Sequence, residues 1–287
     1  TDHILLSSGS SGVLTNLALA ASTEGHILGA DLFWDTTSRM GTRNAEFGIK
    51  RLAKTVDLSI DLDAMLASIT PDVALAQVCN PNNPTAMVLP SEKLKSFCKA
   101  ASRKTMVLVD EAYNELTDDP EANSTVPLIK EGYNVVVART FSKIYAMGGV
   151  RLGWAYCQKP VADVLNRIRP PFNVTSGAQA AGIAAVNDVD FLKLSRDHNA
   201  AWQPWLSDRL KDKGLDVVPS TGNFVLVRFP ETGPHTAAKA MSFLTARGII
   251  PRGTGSAGIP EGIRITIGLE NEMRATADAI SDFLKIS

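Results

Sequence analysis

The segment spanning residues 140–151 concentrates side chains that could do chemistry. Two hydroxyls, an amine and a guanidinium fall within these twelve residues: Thr140, Ser142, Lys143 and Arg151. Hydroxyls and arginine bind phosphate oxygens directionally, and a desolvated lysine can become a nucleophilic amine. The pattern therefore indicates a phosphate pocket with an amine inside it. For the lysine taken alone, a solvated turn is the simpler explanation.

Other polar clusters also follow apolar runs. The string Asn80-Pro81-Asn82-Asn83-Pro84-Thr85 follows "VALAQVC", the string Asp110-Glu111-Ala112-Tyr113 follows "TMVLV", and Ser10-Ser11 follows the first apolar run. Each of the first two strings alone could be an ordinary turn or exposed loop. In a parallel sheet, however, ligands bind at the carboxyl ends of the strands. The positions of these clusters therefore favour one shared site.

The elements that must position these residues are short apolar runs alternating with helix-length amphipathic segments. This alternation covers the first two-thirds of the chain and predicts an α/β fold, with a mostly parallel sheet covered on both faces. The last third predicts strand, strand, helix, strand, strand, helix, a smaller α+β domain. We expect a large domain over 1–188 and a small domain over 189–287, and an exposed loop over 118–125.

Composition excludes several classes of protein. The net charge of -1 over 287 residues gives no long-range reason to expect nucleic acid or an anionic membrane as a partner. Three separated cysteines form neither a disulfide framework nor a metal-ligand spacing, and four scattered histidines do not predict a metal site. We therefore expect a cytoplasmic protein without a metal.

Taken together, the motifs resemble those of fold-type I pyridoxal 5′-phosphate (PLP) enzymes, specifically class I/II aminotransferases of the histidinol-phosphate aminotransferase type. The matching strings are "NPNNPT", "VDEAY", "RTFSK" with "GGVRLGW", and "GIRITIG", in the order and at about the spacing of the family. The resemblance covers essentially the whole chain. It implies the three-layer aminotransferase fold with a small C-terminal domain, PLP as cofactor and a homodimer.

The resemblance also implies roles for the residues around the cofactor ring. Lys143 matches the lysine that holds the cofactor covalently and, once displaced, moves a proton during catalysis. Asp110 matches the carboxylate that pairs with the pyridine nitrogen. Tyr113 and Asn83 match the groups that hydrogen-bond the phenolic oxygen.

Five residues match the phosphate site of the family. Thr140, Ser142 and Arg151 correspond to side-chain ligands of the cofactor phosphate. Ser10 and Ser11 correspond to a helix start whose backbone amides complete the cup, as helix N-termini do for phosphates in general.

The substrate side departs more from the family pattern. Arg264 matches the arginine that receives the substrate α-carboxylate, and Arg252 lies where relatives place a basic residue near the substrate side chain, although it could equally be a surface arginine. Where the family has a stacking aromatic, we assign Phe33, with Trp34 as the rival. The chain begins without methionine, at a strand-like run, so we also expect that an N-terminal arm is missing.

The resulting hypothesis is a homodimeric PLP-dependent aminotransferase that uses amino acid and 2-oxo acid substrates. Glutamate and 2-oxoglutarate form the expected donor pair, with histidinol phosphate or an aromatic amino compound as the other substrate. Two alternatives stay open: a decarboxylase or lyase similar to threonine-phosphate decarboxylase, and a ligand-sensing aminotransferase-like domain.

Overall fold

The computed structural model describes residues 2–286, which form two sheets and the helices packed on them. The strands are β1 Ile4–Ser7, β2 His26–Gly29, β3 Ile49–Arg51, β4 Val73–Cys79, β5 Met106–Asp110, β6 Val135–Thr140, β7 Gly153–Tyr156, β8 Asp216–Val217, β9 Phe224–Arg228, β10 Arg252–Gly253 and β11 Gly262–Thr266. The helices are α1 Gly9–Ala21, α2 Thr36–Gly41, α3 Leu62–Ala67, α4 Ser91–Ala101, α5 Pro120–Asn123, α6 Val126–Lys130, α7 Lys159–Ile168, α8 Ser176–Asn187, α9 Val189–Lys211, α10 Ala237–Thr245 and α11 Glu270–Phe283.

The larger sheet has seven strands in the order β1-β7-β6-β5-β4-β2-β3. Strands β6, β5, β4, β2 and β3 run parallel, whereas β7 is antiparallel to both of its neighbours, β1 and β6. The prediction of a mostly parallel sheet is therefore confirmed. Because β4, β5 and β6 are adjacent and parallel, their carboxyl ends lie side by side.

Both faces of this sheet are covered, which gives the three-layer arrangement. Alternate residues of a strand point to opposite faces, so Leu108 of β5 packs with Leu14 of α1 and Leu165 of α7 on one face. Its neighbour Val109 packs on the other face with Leu94 of α4. The near-continuous apolar runs in the sequence reflect this burial on two faces.

The smaller sheet is antiparallel, in the order β10-β11-β9-β8, and has its own core against α9, α10 and α11. The predicted order of elements in this region is confirmed. Helix α8 ends at Asn187 and α9 begins at Val189. This break coincides with the boundary expected near residue 188, although the division into two domains stays a prediction.

The expectation of an exposed loop over 118–125 is wrong for most of the segment, because residues 120–123 form the short helix α5 and the last two residues are buried. Ser124 and Thr125 are buried, and both donate hydrogen bonds to the buried carboxylate of Glu111. The string of polar residues suggested solvent, but a buried carboxylate needs such donors. Among residues 2–286, none of the helices combines the length and the apolarity needed to span a bilayer.

Candidate active site

The predicted site residues meet in one cavity of about 190 Å³ at the carboxyl ends of the parallel strands. The lining is contributed by both sheets. It comprises Ser10, Ser11, Trp34, Cys79, Asn83, Asp110, Ala112, Tyr113, Thr140, Ser142, Lys143, Arg151, Arg252 and Arg264. All the residues expected from the sequence are therefore brought together, except Phe33.

Asp110 is the last residue of β5 and forms part of the cavity floor. Its side chain is 3% exposed, and one oxygen accepts a hydrogen bond from the backbone N–H of Ala112 at 3.3 Å. Burial raises the pKa of this carboxyl to about 6, against the opposing effect of the nearby Lys143 ammonium. A carboxyl in this state can readily share a proton with a basic ring nitrogen.

Lys143 lies in the turn after β6, with its ammonium nitrogen 4.9 Å from the ring centroid of Tyr113. Burial lowers the pKa of this amine, and the positive charges of Arg264 and Arg151 lower it further, whereas Asp110 acts in the opposite direction. The net effect is a pKa below that of a lysine in water, so a larger fraction of the amine is neutral. A neutral amine is the form that can attack a carbonyl carbon.

The phosphate-binding prediction corresponds to a cluster of hydroxyls and amides at one end of the cavity. Arg151 donates to the hydroxyl oxygen of Ser142 at 3.3 Å and to the carbonyl of Gly148 at 2.7 Å. Ser10 and Ser11 lie in the first turn of α1, where backbone N–H groups have no partner within the helix. This end of the cavity therefore contains several hydrogen-bond donors and the positive charge of Arg151.

Two glycines allow the close approaches in this cluster. A Cβ atom on Gly9, whose φ is +71°, would lie 2.6 Å from Nη2 of Arg151. A Cβ atom on Gly153 would lie 2.3 Å from the backbone nitrogen of Ser10. Any larger residue would separate the arginine and strand β7 from the start of α1.

The opposite side of the cavity is reached by Arg264 of β11. Its Nη1 donates to the side-chain oxygen of Asn83 at 2.8 Å, and its guanidinium lies 4.7 Å from the ring centroid of Phe224. Its Nε is buried and has no hydrogen-bond partner within the described part of the chain. Arg264 therefore retains donor capacity for an anion in the cavity.

Tyr113 packs edge-on against Phe224, with 5.4 Å between ring centroids. Burial raises the pKa of its phenol, so the hydroxyl is protonated and can donate a hydrogen bond. Phe224 also contacts Arg264, which links the floor of the cavity to the smaller sheet.

The structure favours Trp34, and not Phe33, as the aromatic residue of the cavity. Trp34 lines the cavity with the Arg252 guanidinium 5.6 Å from its ring centroid. The Phe33 ring fills the space above Gly29, where a Cβ atom would lie 2.5 Å from it, and its other side is covered by Arg51. Phe33 is 4% exposed and does not line this cavity, so its stacking role stays a prediction, with Trp34 as the rival that does line it.

Sequence reasoning missed Cys79 and Ala112 as lining residues. Cys79 ends β4 and pairs with Asp110 in the parallel ladder, with its sulfur 4.0 Å from Oδ2 of Asp110. Burial raises the pKa of its thiol well above the ordinary range, with a further contribution from Asp110. The available signal was its position immediately before the Asn-Pro string, at a strand tip.

The chain matches known proteins over nearly its whole length. The family model described as aminotransferase class I and II matches residues 1–280. A histidinol-phosphate aminotransferase of Paramagnetospirillum magneticum is 44% identical over 232 residues, which cover 81% of this chain and 64% of that protein. Histidinol-phosphate aminotransferase 1 of Cupriavidus pinatubonensis is 38% identical over 285 residues, 99% of this chain and 75% of that protein.

Solved structures give the same result. The crystal structure of histidinol-phosphate aminotransferase from Sinorhizobium meliloti in complex with pyridoxal-5′-phosphate superposes with a TM-score of 0.89 at 27% identity, covering 99% of this chain and 77% of that one. The chain spans slightly less than two thirds of the length of several curated relatives that it matches. With a matching family model, matching relatives and a matching fold, the chain belongs to the class I and II aminotransferase family.

Proposed function

We propose that this chain is a PLP-dependent aminotransferase that transfers an amino group between glutamate/2-oxoglutarate and histidinol phosphate or a related amino compound. The observation that carries the proposal is the single cavity that contains Lys143, Asp110 and the donor cluster around Arg151. The names of the relatives in Paramagnetospirillum magneticum and Cupriavidus pinatubonensis support histidinol phosphate as the substrate.

The residues present fit PLP. The donor cluster of Ser10, Ser11, Thr140, Ser142 and Arg151 suits the phosphate, and Gly9 leaves room for the guanidinium of Arg151 in it. When bound, PLP supplies an electron sink for charge that develops on the substrate α-carbon.

The chain's own residues then have separate tasks. Asp110 would hold a proton between its carboxyl and the ring nitrogen and so favour the positively charged form of that nitrogen. Tyr113 and Asn83 orient the ring from the side of its phenolic oxygen. Lys143, whose pKa is lowered by burial, would take and return the α-proton of the substrate at its Nζ atom.

On the substrate side, Arg264 binds the α-carboxylate and Arg252 lies further out, next to Trp34. A planar guanidinium pairs with carboxylate or phosphate through two parallel hydrogen bonds. The two arginines therefore suit glutamate, which carries two carboxylates, and histidinol phosphate, which has no carboxylate and carries its single anionic group as a phosphate.

We infer that the protein is a homodimer of the cytoplasm. Large apolar side chains on the consecutive helices α8 and α9 are exposed, including Ile183 at 66%, Val189 at 66% and Leu194 at 65%. Exposed apolar side chains of this size support a protein interface. All three cysteines are free and buried, which suits a reducing compartment. Sedimentation equilibrium tests the dimer, and a monomer at micromolar concentration would contradict it.

The test of the activity begins with PLP and the purified chain. We expect the visible absorption band of lysine-bound PLP, which glutamate or histidinol phosphate offered singly should convert to the absorption of pyridoxamine phosphate. Lys143→Ala should lose the band, whereas Lys213→Ala, at an exposed lysine, should retain it. A folded wild-type protein without the band, or an unchanged band in Lys143→Ala, would refute the proposal.

The same experiment separates the alternatives. A decarboxylase or lyase would release a product that lacks the α-carboxylate or another substituent, which mass spectrometry of the products detects. A ligand-sensing domain would form the band, but no amino donor would convert it.

A further inference from the structure

Directly beside Asp110, the structure contains a buried carboxylate that the proposed reaction does not use. Glu111 is fully buried, and five donor contacts surround its two oxygens. Oε1 accepts from the backbone N–H and the hydroxyl of Thr125 at 2.7 and 2.8 Å, and Oε2 accepts from the Ser124 hydroxyl at 3.0 Å. Oε2 also accepts two hydrogen bonds from Arg139, at 3.1 and 2.8 Å.

Arg139 connects this carboxylate to the strand that leads to Lys143. It is the residue before Thr140 on β6, and its guanidinium also donates to Glu115 at 3.2 Å and to Ser124 at 3.0 Å. The aromatic ring of Trp154, its partner in the β6–β7 ladder, lies 5.5 Å from the guanidinium carbon. The guanidinium of Arg139 is therefore held by three side chains through hydrogen bonds and by one aromatic ring.

The network spans the two strand tips that carry the proposed chemistry. Glu111 follows Asp110, and its backbone N–H donates to the carbonyl of Ala138 at 2.9 Å. Arg139 precedes Lys143 by four residues. A change in the distance between Glu111 and Arg139 would therefore change the distance between the β5 and β6 tips.

We propose that Glu111 and Arg139 are positioning residues, which set the relative placement of Asp110 and Lys143 for capture of the cofactor. The inference rests on the proposed function, because the two positioned groups are those that would bind PLP. Neither Glu111 nor Arg139 lines the cavity, so both act through their neighbours.

Stability alone gives a weak reason for such a network. Removing charges from water costs several kcal/mol per ion, and well-packed apolar residues often stabilise a core equally well. The planar guanidinium of Arg139, by contrast, is held by hydrogen bonds to Glu111, Glu115 and Ser124, which fix its orientation as well as its distance from Glu111. The same network reaches α9, because the backbone carbonyl of Glu115 accepts a hydrogen bond from Arg196 at 3.1 Å.

The experiment compares capture of PLP by the wild type, Glu111→Gln and Arg139→Lys. Glu111→Gln keeps the shape of the side chain without its charge, and Arg139→Lys keeps the charge without the planar pair of donors. Arg228→Gln is the matched control, because Arg228 also pairs with two carboxylates, Asp216 and Glu261, at a distance from the cavity. Circular dichroism and thermal unfolding report the fold separately.

We expect Glu111→Gln and Arg139→Lys to bind PLP about tenfold more weakly than the wild type, a loss of binding free energy typical of a broken charged network. Quenching of protein fluorescence measures this affinity. The pH at which capture is half-maximal should rise, because a looser site admits water and weakens the desolvation that lowers the pKa of Lys143. The groups that face Lys143 are Asp110, Cys79, Tyr113, Arg151 and Arg264, and none of them is altered.

The possible outcomes are distinct. Weaker capture with a shifted pH midpoint in the network variants, but not in Arg228→Gln, supports the positioning role. Variants that are only less heat-stable, with unchanged capture and midpoint, would assign the network to the core and overturn the proposal, as would loss of the fold in both. Failure of the wild type to capture PLP would instead refute the proposed function.

Discussion

The floor and the outer wall of the cavity are built in different ways. The floor consists of strand tips of the seven-stranded sheet, and Asp110 and Thr140 are 3% and 4% exposed there. The wall consists of Arg264 and Arg252 from the four-stranded sheet, and Arg252 is exposed. The floor is fixed by adjacent parallel strands, whereas the wall depends on contact between two sheets.

The contacts between the two sheets show how the wall depends on residues that are distant in the chain. The hydrogen bond from Arg264 to Asn83 joins residues that are 181 positions apart in the chain. A small apolar cluster at the junction contains Leu32 and Leu58 from one region and Leu226 and Ile259 from the other. We therefore propose that the floor would bind the cofactor through closely held groups and that the wall would select the substrate.

The largest effect is expected at the floor, from Asp110→Asn. Turnover should fall by about a hundredfold to a thousandfold, the usual effect of removing one electrostatic group from an active site. Lys143 remains, so the band of lysine-bound PLP should still form. An activity close to that of the wild type would contradict the essential role that we assign to Asp110 in the floor.

The same substitution should stabilise the chain without cofactor at alkaline pH. A folded-state pKa of about 6, above the ordinary 3.8, means that ionised Asp110 destabilises the fold. The penalty is absent well below pH 3.8, grows between these two values, and amounts to about 3 kcal/mol above pH 6. Urea unfolding at pH 8 should therefore show a more stable Asp110→Asn variant, and equal stabilities would contradict the raised pKa.

The next largest effect is expected at the wall. Arg264→Gln should lower kcat/KM by about a hundredfold, because it leaves the substrate carboxylate unpaired in a partly buried site. Arg252→Gln should cost about tenfold, because an exposed guanidinium is screened by water. Both should retain PLP, which dialysis followed by absorption measures. Loss of PLP from either variant would show that the arginines of the wall also bind the cofactor.

The smallest effects should separate the two neighbouring aromatic residues. Trp34→Leu should weaken PLP binding by about tenfold with little change in stability, as expected for loss of a stacking contact. Phe33→Leu should leave PLP binding unchanged and destabilise the fold by about 1 kcal/mol, because its ring is buried over Gly29. Fluorescence titration and thermal unfolding distinguish the two, and the reverse pattern would restore Phe33 as the stacking residue.

Much of the floor was readable from the sequence because each group lies at the end of an apolar run. Asp110 is the last residue of β5, and Asn83 and Lys143 lie a few residues beyond the ends of β4 and β6, so the positions of the strands largely determine the positions of these groups. Contacts between distant residues were not readable in the same way. Phe33 and Trp34 are adjacent, and only the space above Gly29 decides which ring turns towards the core. Ser124 and Thr125 are buried because Glu111 binds them, a contact without a local pattern.

The sequence by itself therefore determined the α/β class, the order of the elements and the chemistry at the strand tips. Apolar periodicity and the residues that follow each apolar run are local properties of the chain. They determine which segments form strands and helices, and which residues stand at the strand ends. The tertiary structure alone decided that Trp34 faces the cavity, that Arg264 reaches Asn83 and that Glu111 pairs with Arg139. These contacts join residues of different elements, and the packing that joins them leaves no periodic trace in the chain.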